Sequence, residues 1–413
     1  MRYRRSWIVA GLCASALAVS AAAWAQNPGQ RPAERPRGDP AQADARGGGT
    51  RFGDALPGLS AAEFAEFAAG KAEFINVEDV EGGLGPIFNN SSCVSCHGIP
   101  AVGGSSSALV TRFGRSSANG FDPLASLGGS LLQAMAIDPA VQEIVPPSAN
   151  VIAERQSTPL FGLGLIEAIP DRAIVDGARR IKPFGIRGRP AEVVDVATGQ
   201  ARIGHFGWKA QLATLLDFAG DAYLNEMGVT SRLFPHENAP NGDLALLAQY
   251  DLVADPEDEV DPVSGKGDID FAADFMRLLA PPPPGRSSGS ASRGEFVFEQ
   301  VGCALCHTPV LMSGPSPIRA LDRKPVALYS DLLLHDMGAL GDGIAQGDAG
   351  PTEMKTPPLW GARVSAPYLH DGRAGTLDQA IRLHDGEARV VRDRYLQLSR
   401  DAQRQLVDFV ETL

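Results

Sequence analysis

Apolar residues recur at helical spacing in several stretches of the chain. From Leu59 onward, Phe64, Phe67 and Ala68 fall three and four residues apart and predict a helix. Between Gly207 and Met227, the residues Trp208, Leu212, Leu215, Leu216, Ala219 and Tyr223 predict one long amphipathic helix, closed by Gly228 as its C-cap. Leu406, Phe409, Val410 and Leu413 mark one face of a terminal helix that Ser399 can cap. Between Val110 and Ala201 the apolar runs are short and cut by Asp122-Pro123, Pro146-Pro147 and Phe161-Gly162-Leu163-Gly164. That pattern predicts helices joined by long loops, with a few short strands around Pro190 to Arg202. Asp255 to Asp268 is acidic and contains glycine, as a solvated surface loop does. The fold class expected is mainly α.

Composition divides this pattern into segments. Arg2, Arg4 and Arg5, the apolar run Trp7 to Ala23 and the small-x-small site Ala23-Trp24-Ala25 predict a cleavable secretory leader over residues 1–25. Residues 26–55 are rich in Pro, Gly, Arg and Gln and predict a disordered tether. Pro281 to Pro284 followed by Gly285-Arg286-Ser287-Ser288-Gly289 predicts a linker over 281–290, with one domain over 56–280 and another over 291–413. No segment after the leader is apolar enough to span a bilayer. The formal net charge is −12, and losing the leader would remove three arginines and no acid. That sign argues against nucleic acid or anionic lipid as a partner and leaves room for a small basic electron-transfer protein.

The chemistry enters with a stretch that occurs twice, Cys93-Val94-Ser95-Cys96-His97 and Cys303-Ala304-Leu305-Cys306-His307. In Cys-x-x-Cys-His the two thiols can add to the vinyl groups of a haem while the imidazole reaches the iron. A thioredoxin-like pair would need no following histidine, and a zinc site would need four ligands per metal. Two covalent c-type haems are therefore expected, held by Cys93, Cys96, Cys303 and Cys306 with His97 and His307 on the irons. Such haems are installed outside the cytoplasm, so leader and motif agree on a periplasmic address. Phe88 and Phe298 each lie five residues before the first cysteine of a pair. This suggests two cytochrome c-like units in which a helix delivers an aromatic residue to the haem. His205, His236, His335, His370 and His384 remain as candidate sixth ligands.

The stretch Thr356-Pro357-Pro358-Leu359-Trp360-Gly361 through Ala366-Pro367-Tyr368-Leu369-His370-Asp371-Gly372 resembles bacterial di-haem cytochrome c peroxidases. With Asp331 to Gly338 and Gly207 to Gly228, the chain from about residue 75 onward resembles more closely still the di-haem oxidoreductase family, also named thiol oxidoreductases. The resemblance implies a sixth ligand for the second haem in the helix after Tyr-x-His, a position that is Met in the peroxidases, Tyr in the enzyme maturing a tryptophan-derived quinone and His in the rubber oxygenases. Here that helix is Thr376 to Leu383 and the position is His384; Met354, Met337 and His370 are the fallback ligands. Peroxidases that need reductive activation carry a displaceable histidine after the first haem stretch, yet no histidine lies between His97 and His205, which leaves the first iron open. The resemblance further implies that Trp208 relays electrons between haems and that Glu226 is the acid and base at bound peroxide. Phe218 stands where peroxidases have Gln and rubber oxygenases an apolar residue. A calcium ion between the domains, taking backbone carbonyls of Thr356 and Pro358, is a further implied feature.

These readings converge on a periplasmic di-haem oxidoreductase. It would reduce peroxide at the first haem with electrons passed through the second from a cytochrome or cupredoxin. Two rivals remain open. A plain electron carrier would need His205 or His236 to close the first iron, and an oxygenase using dioxygen on an apolar substrate would suit Phe218 and His384. Thiol chemistry has no free cysteine pair to use.

Overall fold

The computed structural model describes residues 49–413; the expected leader, Cys13 within it, and the expected tether up to residue 48 lie outside the described residues. Among the described residues there are eleven α-helices: α1 (Ala61–Phe74), α2 (Cys93–Cys96), α3 (Leu163–Glu167), α4 (Asp171–Ala178), α5 (Leu215–Ala222), α6 (Leu244–Tyr250), α7 (Asp268–Leu278), α8 (Gly289–Val301), α9 (Leu377–Leu383), α10 (Arg389–Leu396) and α11 (Arg400–Val410). The strands are short and antiparallel. β1 (Ile87–Phe88) pairs with β4 (Met135–Ala136), and β2 (Leu109–Ser117) lies between β3 (Gly120–Asp122) and β5 (Val151–Gln156). β6 (Glu192–Val194) pairs with β7 (Ala201–Ile203), β8 (Leu311–Met312) with β9 (Pro325–Val326), and β10 (Leu334–Asp336) with β11 (Glu353–Lys355).

Two helix pairs are built alike, and one glycine in each shows why. α1 crosses α7, and α8 crosses α11. A Cβ on Gly70 would lie 2.3 Å from the Phe271 carbonyl oxygen, and one on Gly294 only 1.8 Å from that of Gln405. Only glycine lets the backbones approach so closely. One turn further on, and so on the same helix face, stand Phe74 and Phe298. Phe74 packs on Phe275 of α7 at 4.7 Å between ring centroids, and Phe298 on Phe409 of α11 at 5.4 Å. Each phenyl ring then approaches the following histidine, Phe74 to His97 at 6.2 Å and Phe298 to His307 at 6.4 Å.

This corrects one expectation. Phe88 is not the counterpart of Phe298: it lies in β1, paired with Met135, and Phe74 takes the role. Residues 75–92 separate α1 from the first cysteine, whereas Gly302 alone separates α8 from Cys303, so an equal offset from the cysteines finds different places in the two copies. Ser399 caps α11 as expected, its Oγ accepting from the Ala402 amide at 3.2 Å.

Two further expectations fail locally. Gly207 to Met227 is not one helix. Gly207 and Ala210 adopt positive φ (+79° and +50°), the Thr214 hydroxyl caps a new start by accepting from the Asp217 amide at 3.1 Å, and α5 begins only at Leu215. After Ala222 the helix widens into a π-turn, Tyr223–Met227, which Gly228 ends at φ +70° as predicted. The span 110–201 carries the short strands expected near Pro190 but also the three-stranded sheet of β2, β3 and β5, which the glycine-interrupted pattern concealed.

The larger core runs from Leu56 to Leu333 and includes Phe67, Phe74, Leu215, Tyr223 and Phe275. A second gathers Phe298, Val301, Tyr395, Leu406, Phe409 and Val410 around the α8–α11 crossing. No described helix is long and apolar enough to cross a membrane.

Candidate functional site

Each Cys-x-x-Cys-His stretch opens onto its own cavity. The first, about 170 Å³, is lined by Cys93, Cys96 and His97 together with Arg112, Asp221 and Glu226. The second, about 290 Å³, is lined by Cys303, Cys306, His307 and His384. Gln156, Ser157, Thr158, Gly207, Trp208 and Phe218 line both, forming the wall between them. Trp208 stands in a turn, not on a helix. Its indole N–H donates to the Gln156 carbonyl at 2.8 Å, and its ring meets His370 edge-on at 6.3 Å. Phe218 stacks on Phe206 at 6.1 Å.

The imidazoles are set up as metal ligands. His97 Nδ1 lies 3.0 Å from the Gly104 carbonyl, His307 Nδ1 3.0 Å from that of Tyr329, and His384 Nδ1 2.8 Å from that of Ala380. A carbonyl can only accept, so Nδ1 carries the proton in each case and Nε2 keeps its lone pair. Burial lowers the basicity of all three; for His307, burial and then His384 bring the pKa to about 4. The rings of His307 and His384 lie 6.5 Å apart between centroids. Two imidazole–metal bonds of about 2.0 Å each, plus the two ring radii, span close to that separation. His384 caps the C-terminus of α9, which Thr376 starts by accepting from the Gln379 amide at 3.2 Å. Met337, Met354 and His370 line the same cavity without such a pairing.

The thiols argue against redox exchange. Burial pushes Cys93 and Cys303 up to about 12 and Cys96 to about 11, where little reactive thiolate exists. The donor set of two thiols, one imidazole whose Nε2 keeps its lone pair and an adjoining cavity, present twice, fits a haem at each place.

Around His97 the arrangement differs. No second histidine lines its cavity among the described residues; His205 lines the other cavity, and His236 is exposed. The loop Gly103 to Ser107 packs on His97 itself, the Gly103 and Gly104 amides donating to its carbonyl at 2.8 and 3.0 Å. Glu226, in the π-turn, accepts from the Asn89 side-chain amide at 2.8 Å. Burial raises its pKa, Arg112 opposes the rise and Asp221 adds to it.

Sequence reasoning missed Arg112, Asp221, Arg155 and Gln211 in this cavity, none of which belongs to a motif. His335, one of the five candidate sixth ligands, lines the second cavity. Its Nε2 lies 3.1 Å from Asp331, and its Nδ1 2.7 Å from Glu387 and 3.7 Å from Cys306 Sγ; burial lowers its pKa, but Asp331, then Cys306 and Glu387, outweigh burial and raise it. As for calcium, the Thr356 carbonyl accepts from the Ser330 hydroxyl at 2.6 Å.

The family described as "Di-haem oxidoreductase, putative peroxidase" matches residues 148–413. Cytochrome c peroxidase Ccp of Escherichia coli K12 is 26% identical over 187 residues, 43% of this chain and 38% of that protein. Methylamine utilization protein MauG of Methylorubrum extorquens is 28% identical over 137 residues, 30% of this chain and 34% of that protein. The matches thus span little more than a third of the curated relatives. Among solved structures, the diheme peroxidase BthA of Burkholderia thailandensis aligns over 84% of this chain and 86% of its own, with 14% identity and a TM-score of 0.39.

Proposed function

The chain belongs to the di-haem oxidoreductase family and is an oxidoreductase; from that premise we propose that it is a periplasmic, peroxide-reducing enzyme with two covalent c-type haems in unequal roles. Cys93 and Cys96 would tether one haem with His97 on its iron. Cys303 and Cys306 would tether the other, held between His307 and His384. When bound, the haems supply redox-active irons, one able to take a ligand and one closed.

The observation that carries this reading is the asymmetry of the histidines. His307 has His384 at 6.5 Å, while no second imidazole lines the cavity of His97 among the described residues. Glu226, whose pKa burial raises, would move a proton from one oxygen of peroxide held in the first cavity to the other, so that water can leave when two electrons from the donor cleave the O–O bond. Trp208, on the wall common to both cavities, offers the path along which electrons from a small donor protein reach the first site. The like crossings at Gly70 and Gly294 support two cytochrome c-like units; a division at residues 281–290 would leave Leu321 to Leu333 of the second packed into the core of the first.

Electron paramagnetic resonance of the oxidised holoprotein, before and after one equivalent of peroxide, tests the reading. One low-spin signal and one open iron whose signal responds to peroxide are expected. Two closed low-spin irons and no response would sink it in favour of an electron carrier. An oxygenase is the second reading. Phe218 places a phenyl ring, with no proton to give, on the wall of the first cavity, and stable dioxygen binding by the reduced protein would favour it.

A further inference from the structure

Phe218 leaves the first cavity without a side-chain amide at that place, but the cavity is not short of polar groups. Arg112 from β2 and Asp221 from the end of α5 line it together with Glu226. We propose that Asp221 and Arg112 complete the acid–base group of the first cavity, the two carboxyls of Asp221 and Glu226 holding one exchangeable proton between them beside the Arg112 guanidinium. The proposal rests on the reading above that this is the open site.

The local fold explains how the two carboxyls come to line one cavity. Residues five apart do not share a face of an α-helix, where three and four are the close spacings. The π-turn Tyr223–Met227 adds a residue to the turn, and both side chains line one cavity. Each is fixed from outside: Asn225 donates to the Asp221 carboxylate at 3.0 Å, and Asn89 donates to Glu226 at 2.8 Å. Arg112 favours the ionised form of both, and its Nε is buried with no hydrogen-bond partner, a donor still free to turn to a ligand.

The other charged groups nearby leave this trio in control. Arg155 of β5 lines the cavity but is paired with Asp342 at 2.6 Å. Asp217, one turn back on α5, accepts from the Val196 and Ala197 amides and disfavours ionisation of Asp221. Two carboxyls in one buried site resist double ionisation, and one cation suffices for a single negative charge. The proton therefore sits on one carboxyl, moves from its O–H to an oxygen or nitrogen of the ligand, and returns by the same route. No other bond changes.

Azide binding to the oxidised holoprotein, titrated optically across pH, and the carboxylic C=O band in the infrared test this together. The wild type should bind azide more tightly as pH falls, with a C=O band that changes on binding. Asp221→Asn should lower affinity about tenfold or more at low pH, the scale of one lost charge-assisted hydrogen bond, and alter the same band that Glu226→Gln alters. Arg112→Gln should move the pH profile upward, and Asp221→Glu, which keeps the carboxyl, should retain it and serves if the amide variant fails to fold. If Asp221→Asn leaves profile and band as in the wild type while Glu226→Gln changes them, the proposal is wrong and the open-site reading stands. If the wild type binds no azide, the open-site reading itself fails and takes the proposal with it.

Discussion

On the proposed reading, a single side chain, His384, decides whether an iron held by His307 is closed. His384 is positioned twice over: its Nδ1 lies 2.8 Å from the Ala380 carbonyl, and its own carbonyl accepts from Arg392 at 2.9 Å. His384→Ala should convert the low-spin, two-imidazole signal of the holoprotein to a high-spin one without altering the other iron; an unchanged signal would mean that Met337, Met354 or His370 is the ligand. Asp268 makes a separate prediction. Burial first, then Glu73 and Asp258, raise its pKa to about 7. A carboxyl whose pKa is higher folded than unfolded contributes stability below its unfolded value near 4, lost as pH rises toward 7. The melting temperature should therefore fall over that window, and Asp268→Asn should flatten the fall. At this scale the proposed ligands and thioether-forming residues were legible as candidates, because covalent attachment would dictate their spacing. Arg112 and Asp221 were not, since a lone charge in a strand or helix looks like any solvated one.

Helix crossings carry the next level of specification. At Gly294 an added Cβ would meet the Gln405 carbonyl oxygen at 1.8 Å and the Phe409 Cβ at 2.8 Å, so Gly294→Ala must push α8 from α11. The expected cost is about 1–3 kcal/mol, as for other overpacked contacts, seen in chemical denaturation. Because Phe298 sits one turn on and packs near His307, the same variant should also perturb the spectrum of the second haem. Apolar spacing found α1 and α11, the latter with its cap Ser399, whereas α9 was located by the family resemblance. The same spacing merged residues 207–227 because periodicity cannot report the positive φ of Ala210 or the competing cap at Thr214. The repeat was sought at a fixed distance from the cysteines, whereas what recurs is Gly70 to Phe74 and Gly294 to Phe298.

Across the molecule, buried charges join segments distant in sequence. Asp342, with a fully buried side chain, holds Arg155 at 2.6 Å and Lys209 at 3.0 Å; Lys209 also donates to the Glu353 carbonyl at 2.6 Å. Asp342→Ala would leave two cations buried and uncompensated, and a loss of about 3–5 kcal/mol is expected in equilibrium unfolding. Since Arg155 lines the first cavity and Trp208 adjoins Lys209, the variant should also alter the first haem's environment more than the second's. The sequence by itself determined that two Cys-x-x-Cys-His stretches are present and that the chain closes with a capped helix, because these depend on short spacings along the chain. Tertiary structure alone decided which phenyl ring meets His97, that Trp208 stands in a turn and not on a helix, and that Arg112 and Asp221 share a cavity with Glu226. Those relations depend on backbone turns and close approaches between segments far apart in sequence, which no local pattern of apolar and polar residues encodes.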